Sequence, residues 1–199
     1  MTEPKRAITP EDILSLEDYA RVRDQRRRQI IELKRDRRLA VGPYATFYFE
    51  SYDTMLQQVQ EMFWIEKGGD EQIADELAAY SPLVPKGDEL VATVMFEIED
   101  EARRRQVLTG LGGVEETMAI LLGEDRVPGV PEIGDHVERT AADGKTSSIH
   151  FMHFCFSADL IARFREPSAR IVVAVEHEAY AHMAVLPEAA RRALAEDFA

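Results

Sequence analysis

The chain has 199 residues, of which 45% are hydrophobic and 31% are charged, and its formal net charge at pH 7 is −13. These values exclude a disordered or fibrous chain and predict one globular domain with a core of ordinary size. The acidic balance argues against nucleic acid as the main partner, because phosphate binding requires a cationic surface.

The first half of the chain carries mostly helical patterns. Capping residues, stripes of apolar residues at helical spacing and the positions of Gly and Pro define its elements. In chain order they are a long helix or two joined helices from Thr9 to about Leu39, ending at Gly42-Pro43; an aromatic strand from Tyr44 to Glu50; a helix from Ser51 or Asp53 to about Lys67; and a helix from Asp70 to Tyr80.

In the second half the period changes to the alternation typical of strands. The predicted elements are strands at Leu90–Glu99, Glu116–Leu122 and Ser148–Phe156; a long hairpin excursion or irregular loop over 123–147; a short helix over Ala158–Arg165 behind a Ser157 cap; an antiparallel pair at Ile171–His177 and Tyr180–Val185; and a terminal helix from Pro187 through Asp197. Gly110 to Gly113 is interpreted as a turn.

Helices come first and strands later, with too few alternating units for a parallel doubly wound sheet. We therefore predict an α+β fold in which N-terminal helices pack on a mainly antiparallel sheet formed by the second half, with a short C-terminal helix. The whole of 1–199 is predicted to be a single domain, with a helical portion at about 9–80 and a sheet portion at about 88–186.

A basic segment stands out against the acidic average. Between Arg21 and Arg38 the chain has nine Arg and Lys residues and three acids. Any of its cations is a candidate for holding a phosphate or carboxylate through bidentate hydrogen bonds; they include Arg26 to Arg28, Lys34, Arg35, Arg37 and Arg38. The alternative is a solvated helix face whose arginines pair with acids of the next helix, such as Glu61 and Glu66.

The helix predicted after Ser51 carries a polar ridge next to its apolar face. Gln57 and Glu61 lie on this ridge four residues apart and are candidate ligand-binding residues. A di-iron bundle is not indicated, because that design needs Glu-x-x-His pairs on two helices and this chain has none.

The sharpest candidate for chemistry is EHEAYAH at 176–182. On a hairpin, His177 and His182 can point at one metal ion with Glu176 or Glu178 as a third ligand. On a helix the spacing of five would hold the imidazoles about 140° apart, so a zinc-protease site is excluded there. Two alternatives stay open: hydrogen-bonded structural histidines beside Tyr180, itself a candidate ligand-binding residue, or general acid–base groups.

Two further histidines lie in the strand predicted at 148–156. His150 and His153 are three residues apart and therefore face opposite sides of the sheet. Either one joins the hairpin histidines only if their strands pair. Cys155, in the same strand, is expected to be a buried and inert thiol.

Several motifs together resemble a bacterial family of about this length, catalogued as DUF3501. They are Tyr19-x-x-x-Arg23, Arg27-Arg28, Lys34, Arg37-Arg38, Gly42, Phe49-Glu50, Gln57-x-x-Gln60-Glu61-Met62, Glu66, Glu76-Leu77-x-x-Tyr80, Leu83-x-Pro85, Leu90-x-Ala92-Thr93, Ser147 to Phe154 and Glu176-His177-x-x-Tyr180-x-His182. The resemblance spans nearly the whole chain. It implies no established activity, but family members are often encoded near rubrerythrin-like and iron–sulfur oxidoreductase proteins, which implies a redox or oxidative-stress setting.

The location and the function are predicted from what the sequence contains. No stretch approaches the ~20 apolar residues of a membrane span, the polar N-terminus does not resemble a secretory signal, and a lone cysteine fits a reducing compartment. We expect a cytoplasmic, non-enzymatic accessory protein that binds a ligand or divalent metal beside a redox partner. The alternatives are a metal- or His/Glu-dependent enzyme acting on a small anion, with no assigned catalytic residue, and a homodimer formed through the long first helices.

Overall fold

The computed structural model describes residues 5–132 and 145–199. The helices within them are α1 (Leu16–Arg35), α2 (Tyr52–Glu66), α3 (Asp70–Tyr80), α4 (Glu101–Thr109), α5 (Ala158–Arg165) and α6 (Glu188–Ala195). The strands are β1 (Arg38–Val41), β2 (Ala45–Phe49), β3 (Glu89–Phe96), β4 (Met118–Leu122), β5 (Asp125–Pro131), β6 (Ile149–Cys155), β7 (Ile171–His177) and β8 (Tyr180–Val185). No described helix has both the length and the apolar composition needed to cross a bilayer.

The eight strands form one sheet in the order β1-β2-β3-β6-β5-β4-β7-β8. Every described pairing is antiparallel. The α+β class with a mainly antiparallel sheet is therefore confirmed. The sheet is nearly closed, because Tyr180 at the start of β8 hydrogen-bonds to the turn between β1 and β2.

The two faces of the sheet bury different clusters. The inner face carries the main core, in which β-strand residues such as Phe47, Phe154 and Val173 pack with Phe164 of α5 and Leu194 of α6. A smaller outer cluster joins the β3 and β6 face to α2 and the segment after α3; its buried members are Ile8, Met55, Leu83, Val84 and Val91. Helices α2 and α3 are thereby fixed against the outside of the sheet.

Many predicted elements are confirmed within a few residues. Helix α2 begins after Ser51, whose side chain accepts a hydrogen bond from the Thr54 amide, and α5 begins after Ser157, which accepts from Leu160. The hairpin of β7 and β8 has the predicted bounds. Side-chain oxygens at these caps satisfy amides that have no partner inside the helix, which is why the capping residues marked the starts.

The first helix was predicted to continue too far. It ends at Arg35, and Arg38–Val41 form β1, with Leu39 opposite Phe47. The start near Thr9 is also only a short 3-10 turn, Pro10–Asp12. Leu39 fits either a helical stripe or a strand, and pairing with β2 determines the outcome.

One helix was not predicted, and one strand was predicted only as part of a hairpin excursion or a loop. Helix α4 occupies the charged segment after β3. Because only Leu108 of this helix is buried, the sequence has no apolar stripe from which the helix could be predicted. Strand β5 lies inside 123–147, which was interpreted as a long hairpin excursion or an irregular loop; it pairs antiparallel with β4 and includes Pro128 and Gly129. A Cβ at Gly129 would lie 2.9 Å from the Met152 Cε, so the glycine allows β5 to approach β6. The rest of the predicted excursion, 133–144, lies outside the described residues.

Candidate functional site

A charged residue interrupts the face of α1 that meets α2. Tyr19 is the one described α1 residue that is fully buried. Arg26, Ile30 and Leu33 follow it on the same face at helical spacing and line the space beside α2. Arg26 is exposed, so its guanidinium lies at the solvent edge of this space.

The facing side of α2 is polar as well. Asp53, Leu56, Gln57 and Gln60 line the same space. Gln60 is buried, and its amide accepts a hydrogen bond from the Leu14 N–H at 2.8 Å and donates one to the Leu14 carbonyl at 3.1 Å. It therefore ties the segment before α1 to the middle of α2.

One end of this helix pair is fixed by a network around Glu61. The Tyr19 hydroxyl donates to Glu61 Oε1 at 2.6 Å, and the Arg23 guanidinium donates to both carboxylate oxygens, at 2.9 and 2.7 Å. Gln57 donates to the Tyr19 oxygen at 2.5 Å and to Glu61 at 3.2 Å. The predicted ion pair between Glu61 and an arginine of the first helix is confirmed, whereas Glu66 accepts from Gln72 instead.

The electrostatics favour the ionised form of Glu61 and the protonated, neutral form of Tyr19. The hydrogen bonds from Arg23 lower the pKa of Glu61, and burial, reinforced by Glu61, raises the pKa of Tyr19 to about 12. Trp64 adds an edge contact to Tyr19, with ring centroids 5.9 Å apart, and lies 5.5 Å from the Arg23 guanidinium. Charge-assisted bonds and ring contacts hold these side chains in one arrangement.

Next to the network lies a cavity of about 240 Å³ between α1 and α2, which we call the helical cleft. Its described lining combines apolar and polar residues; they are Leu14, Ile30, Leu33, Leu56, Tyr19, Gln29, Gln57, Gln60, Arg26, Asp12 and Asp53. Arg26 forms no ion pair with any described residue, in contrast to Arg23. The cleft therefore offers an available guanidinium beside a rigid polar wall.

Gln57 lines this cleft and hydrogen-bonds to Glu61 beside it, whereas the other candidate ligand residues lie elsewhere. Arg37 is buried and donates to the carbonyls of Phe49, Glu50 and Ala193 at 2.9–3.1 Å, and it pairs with Asp197. Burial raises the pKa of Asp197 to about 6, although Arg37 opposes the shift. With these bonds Arg37 stabilises the folded structure and is not available to a ligand, whereas Arg38 is exposed on β1.

Tyr180 also has a structural role. Its buried hydroxyl accepts hydrogen bonds from the amides of Tyr44 and Ala45, both at 2.9 Å, and donates to the Val41 carbonyl at 2.8 Å. Gly42, in the same turn, has φ +73°, and an added Cβ there would lie 2.5 Å from the His182 ring. Tyr180 and His182 therefore close the sheet around this turn.

The three proposed metal ligands do not converge. His177 Nδ1 accepts from the Ala179 amide at 3.2 Å, and its Nε2 lies 3.3 Å from the Gly112 carbonyl. Glu176 points to the other face of β7, where it pairs with Arg126 at 2.8 Å. Among residues 5–132 and 145–199 no three His, Cys, Asp or Glu side chains are placed to hold a metal ion.

The histidines of β6 face opposite sides of the sheet, as predicted. His150 is buried and lies 2.9 Å from the Ser147 carbonyl. His153 lies between two carboxylates: its Nδ1 is 2.8 Å from Glu89, and its Nε2 is 2.8 Å from Glu132. Cys155 was wrongly expected to be buried; it ends β6 on the outer face and is exposed. Partial desolvation of its thiol, together with the nearby Glu89, raises the pKa of Cys155.

The surroundings of His153 predict a pH-dependent contribution to stability. Burial disfavours the imidazolium, but Glu89 and Glu132 outweigh it and raise the pKa of His153 above 6.5. A raised pKa in the folded state stabilises the fold below the unfolded value, and this contribution is lost as the pH rises through the folded pKa. The stability advantage of the wild type over His153→Gln should thus be largest below about pH 6.5 and decline above it.

Urea unfolding of both proteins at a series of pH values measures this difference. His182→Gln is the matched control, because His182 has no described carboxylate partner. If the difference in the free energy of unfolding between wild type and His153→Gln is constant from pH 5.5 to 9, Glu89 and Glu132 do not stabilise a protonated His153.

The fold and cleft define an α+β protein with a candidate small-molecule site between its N-terminal helices. The family model described as "Protein of unknown function (DUF3501)" matches residues 7–198, so the chain belongs to this family. It is also similar to a crystal structure of a novel protein of unknown function from Burkholderia pseudomallei K96243, with 32% identity, a TM-score of 0.88, and coverage of 97% of this chain and 100% of that chain. No curated protein matches the sequence.

Sequence reasoning missed two participants in these sites. Arg23 appeared only within a family motif, although its spacing of four from Tyr19 places both on one helix face. Glu89 gave no signal, because its partner His153 comes from a strand 64 residues further along the chain.

Proposed function

We propose that the protein binds a small organic acid in the helical cleft and acts as a non-enzymatic accessory protein. The observation that carries the proposal is Arg26, a guanidinium on the α2-facing side of α1 without an ion-pair partner among the described residues. Arg26 is exposed at the edge of the cleft, so its charge can attract an anionic ligand from solvent. An arginine there suits a carboxylate, which it can bind through two parallel hydrogen bonds.

The size and lining of the cleft narrow the ligand class. Its volume of about 240 Å³ is below the ~300–1,000 Å³ typical of drug-sized ligands, which favours a compact metabolite. Asp53 has no described hydrogen-bond partner and lines the same cleft. A ligand that carries a hydroxyl or amino group in addition to its carboxylate would complement both charges.

Binding rather than catalysis is supported by the chemistry of the lining. The described lining includes no histidine, cysteine or serine; its proton-carrying side chains are Asp12, which pairs with Lys5, Tyr19, whose pKa is raised to about 12, and Asp53. The Glu61 carboxylate is held by Arg23 and Tyr19, so it is not poised as a base. A divalent metal, a rubrerythrin-like or iron–sulfur oxidoreductase partner and a homodimer remain predictions; exposed Ile31 and Ile65 offer apolar surface for such contacts.

The proposal is tested by thermal-shift screening of organic, hydroxy and amino acids, followed by calorimetric titration of the compounds that stabilise the protein. Replacing Arg26 with Gln is expected to weaken binding at least about tenfold, because a charge-assisted bidentate contact is lost. Arg28→Gln is the matched control, since Arg28 lies about 200° around α1 from Arg26.

Retention of wild-type affinity by Arg26→Gln would remove the proposed role of Arg26. If no compound with a carboxylate stabilises the wild type, organic acids are excluded as ligands of the cleft. Equal losses in Arg26→Gln and Arg28→Gln would indicate a general charge effect and would also contradict the proposal.

A further inference from the structure

A second groove runs over the outer face of the sheet, on the other side of α2. Its floor comes from neighbouring strands, because Tyr48 of β2 is opposite Thr93 of β3, which is opposite Phe151 of β6. Met95 and Ile149 extend the floor by one row. Cross-strand partners point to the same face, so these side chains form a mostly apolar surface.

Helices form the walls of this groove. Met55 of α2 and Tyr80 and Leu83 from the end of α3 and its following turn line the same cavity, whose volume is about 370 Å³. Ile149 is 37% exposed, so the apolar floor is open to solvent at its rim. An apolar floor between a sheet and two helices suits the hydrocarbon or aryl part of a ligand.

One end of the groove is basic. Lys34 and Tyr48 also line an adjoining cavity of about 330 Å³, whose other lining residues are Ile31, Glu32, Arg35 and Arg38. Arg35 pairs with Glu32 and Asp36. Lys34 and Arg38 form no ion pair with any described residue, so two cations are available where the groove meets α1 and β1.

The acid in the groove has its oxygens occupied. Glu50 is buried; Oε2 accepts from the Thr54 hydroxyl at 2.6 Å, and Oε1 accepts from the Thr93 hydroxyl at 2.7 Å. Its negative charge repels an anion from the middle of the groove. An anionic head group is therefore confined to the Lys34 and Arg38 end, and the apolar part extends over Met95 and Phe151.

From this arrangement we infer that the groove binds an amphipathic carboxylate, such as a medium-chain fatty acid, with its head group at Lys34 and Arg38. Charge complementarity fixes the orientation, and the apolar floor supplies the contact area for the tail. This site is independent of the helical cleft, since α2 presents Met55 and Gln58 to the groove and Asp53 and Gln57 to the cleft.

The test compares decanoate with decanol by calorimetric titration of the full chain, below the concentrations at which either ligand aggregates. Decanoate is expected to bind wild type at least about tenfold more tightly than decanol, because only decanoate has the charged head group. The double variant Lys34→Gln/Arg38→Gln should lose at least about tenfold in decanoate affinity and keep its decanol affinity.

Arg105→Gln/Arg170→Gln removes the same charge from exposed positions outside the groove and should bind both ligands like wild type. Ile149→Glu, at the open rim, should weaken both ligands because it places an anion beside the tail. Equal binding of decanoate and decanol by wild type would overturn the inference, even if a variant were poorly folded. Unchanged decanoate affinity in the Lys34/Arg38 double variant would also overturn it.

Discussion

Replacing Arg37 with alanine is expected to lower the free energy of unfolding by about 3–5 kcal/mol, the range for breaking a buried ion pair by removing one partner. Arg37 is 5% exposed, and its guanidinium serves three carbonyls and the carboxylate of Asp197. These contacts join the ends of α1 and β2 to the C-terminal segment. The variant would leave Asp197 and several carbonyls buried without their donor, and urea unfolding would measure the loss.

The neighbouring arginine provides the control. Arg38→Ala removes the same charge from an exposed position and should change stability by less than about 0.5 kcal/mol. Combining Arg37→Ala with Asp197→Asn should cost less than the sum of the single changes, because the double variant leaves no uncompensated buried carboxylate. A loss below about 1 kcal/mol for Arg37→Ala would show that the buried bonds are dispensable.

The contrast between Arg37 and Arg38 shows where sequence reasoning reaches its limit. Both arginines were candidates for anion binding, because adjacent residues of one type carry no sign of which is buried. The distinction arises where α1 ends and the chain turns into β1, so that Arg37 points inward and Arg38 outward. The sequence did not predict that turn, because Leu39 fits the helical spacing of the apolar residues in α1.

Local signals predicted the elements that depend on local chemistry. Ser51 and Ser157 cap α2 and α5, and the hairpin of β7 and β8 alternates from end to end. Helix α4 was not predicted because only Leu108 of it is buried, which leaves no apolar stripe in the sequence. For strand β5 the sequence left a hairpin and an irregular loop open. Pro128 and Gly129 look like loop residues, and only the neighbouring strands explain their place in a sheet.

The candidate sites were predicted only where they depend on the spacing of residues within one helix. The polar ridge of Gln57 and Glu61 was visible as a helical spacing, and an ion pair from Glu61 to the first helix followed from charge. The volume beside Arg26 was not visible, because it results from the distance between two helices. Likewise, the carboxylates on either side of His153 come from other strands, whose order no local pattern specifies.

The substitution Tyr180→Phe tests how much the Tyr180 hydroxyl stabilises the contact between β8 and the turn that joins β1 and β2. The hydroxyl binds two amides and one carbonyl of the turn between β1 and β2. Phenylalanine keeps the ring but leaves these groups unpaired, at a cost of roughly 1–3 kcal/mol for each one that water cannot reach. Since Tyr44 is only partly buried, we expect a total loss of about 2–4 kcal/mol in the free energy of unfolding.

Tyr48→Phe is the matched control, because it deletes the same hydroxyl from an exposed hydrogen bond with Glu97 at 2.9 Å. That change should cost less than about 1 kcal/mol, since water replaces the partner. Hydrogen exchange adds a local measurement: the Ala45 amide should lose protection in Tyr180→Phe more than the amides of β6 do. Equal stability losses in the two variants, with no selective exchange at the Ala45 amide, would contradict this prediction. Tyr180 would then contribute through its ring alone, and strand pairing and core packing would hold β8 near β1 without the hydroxyl.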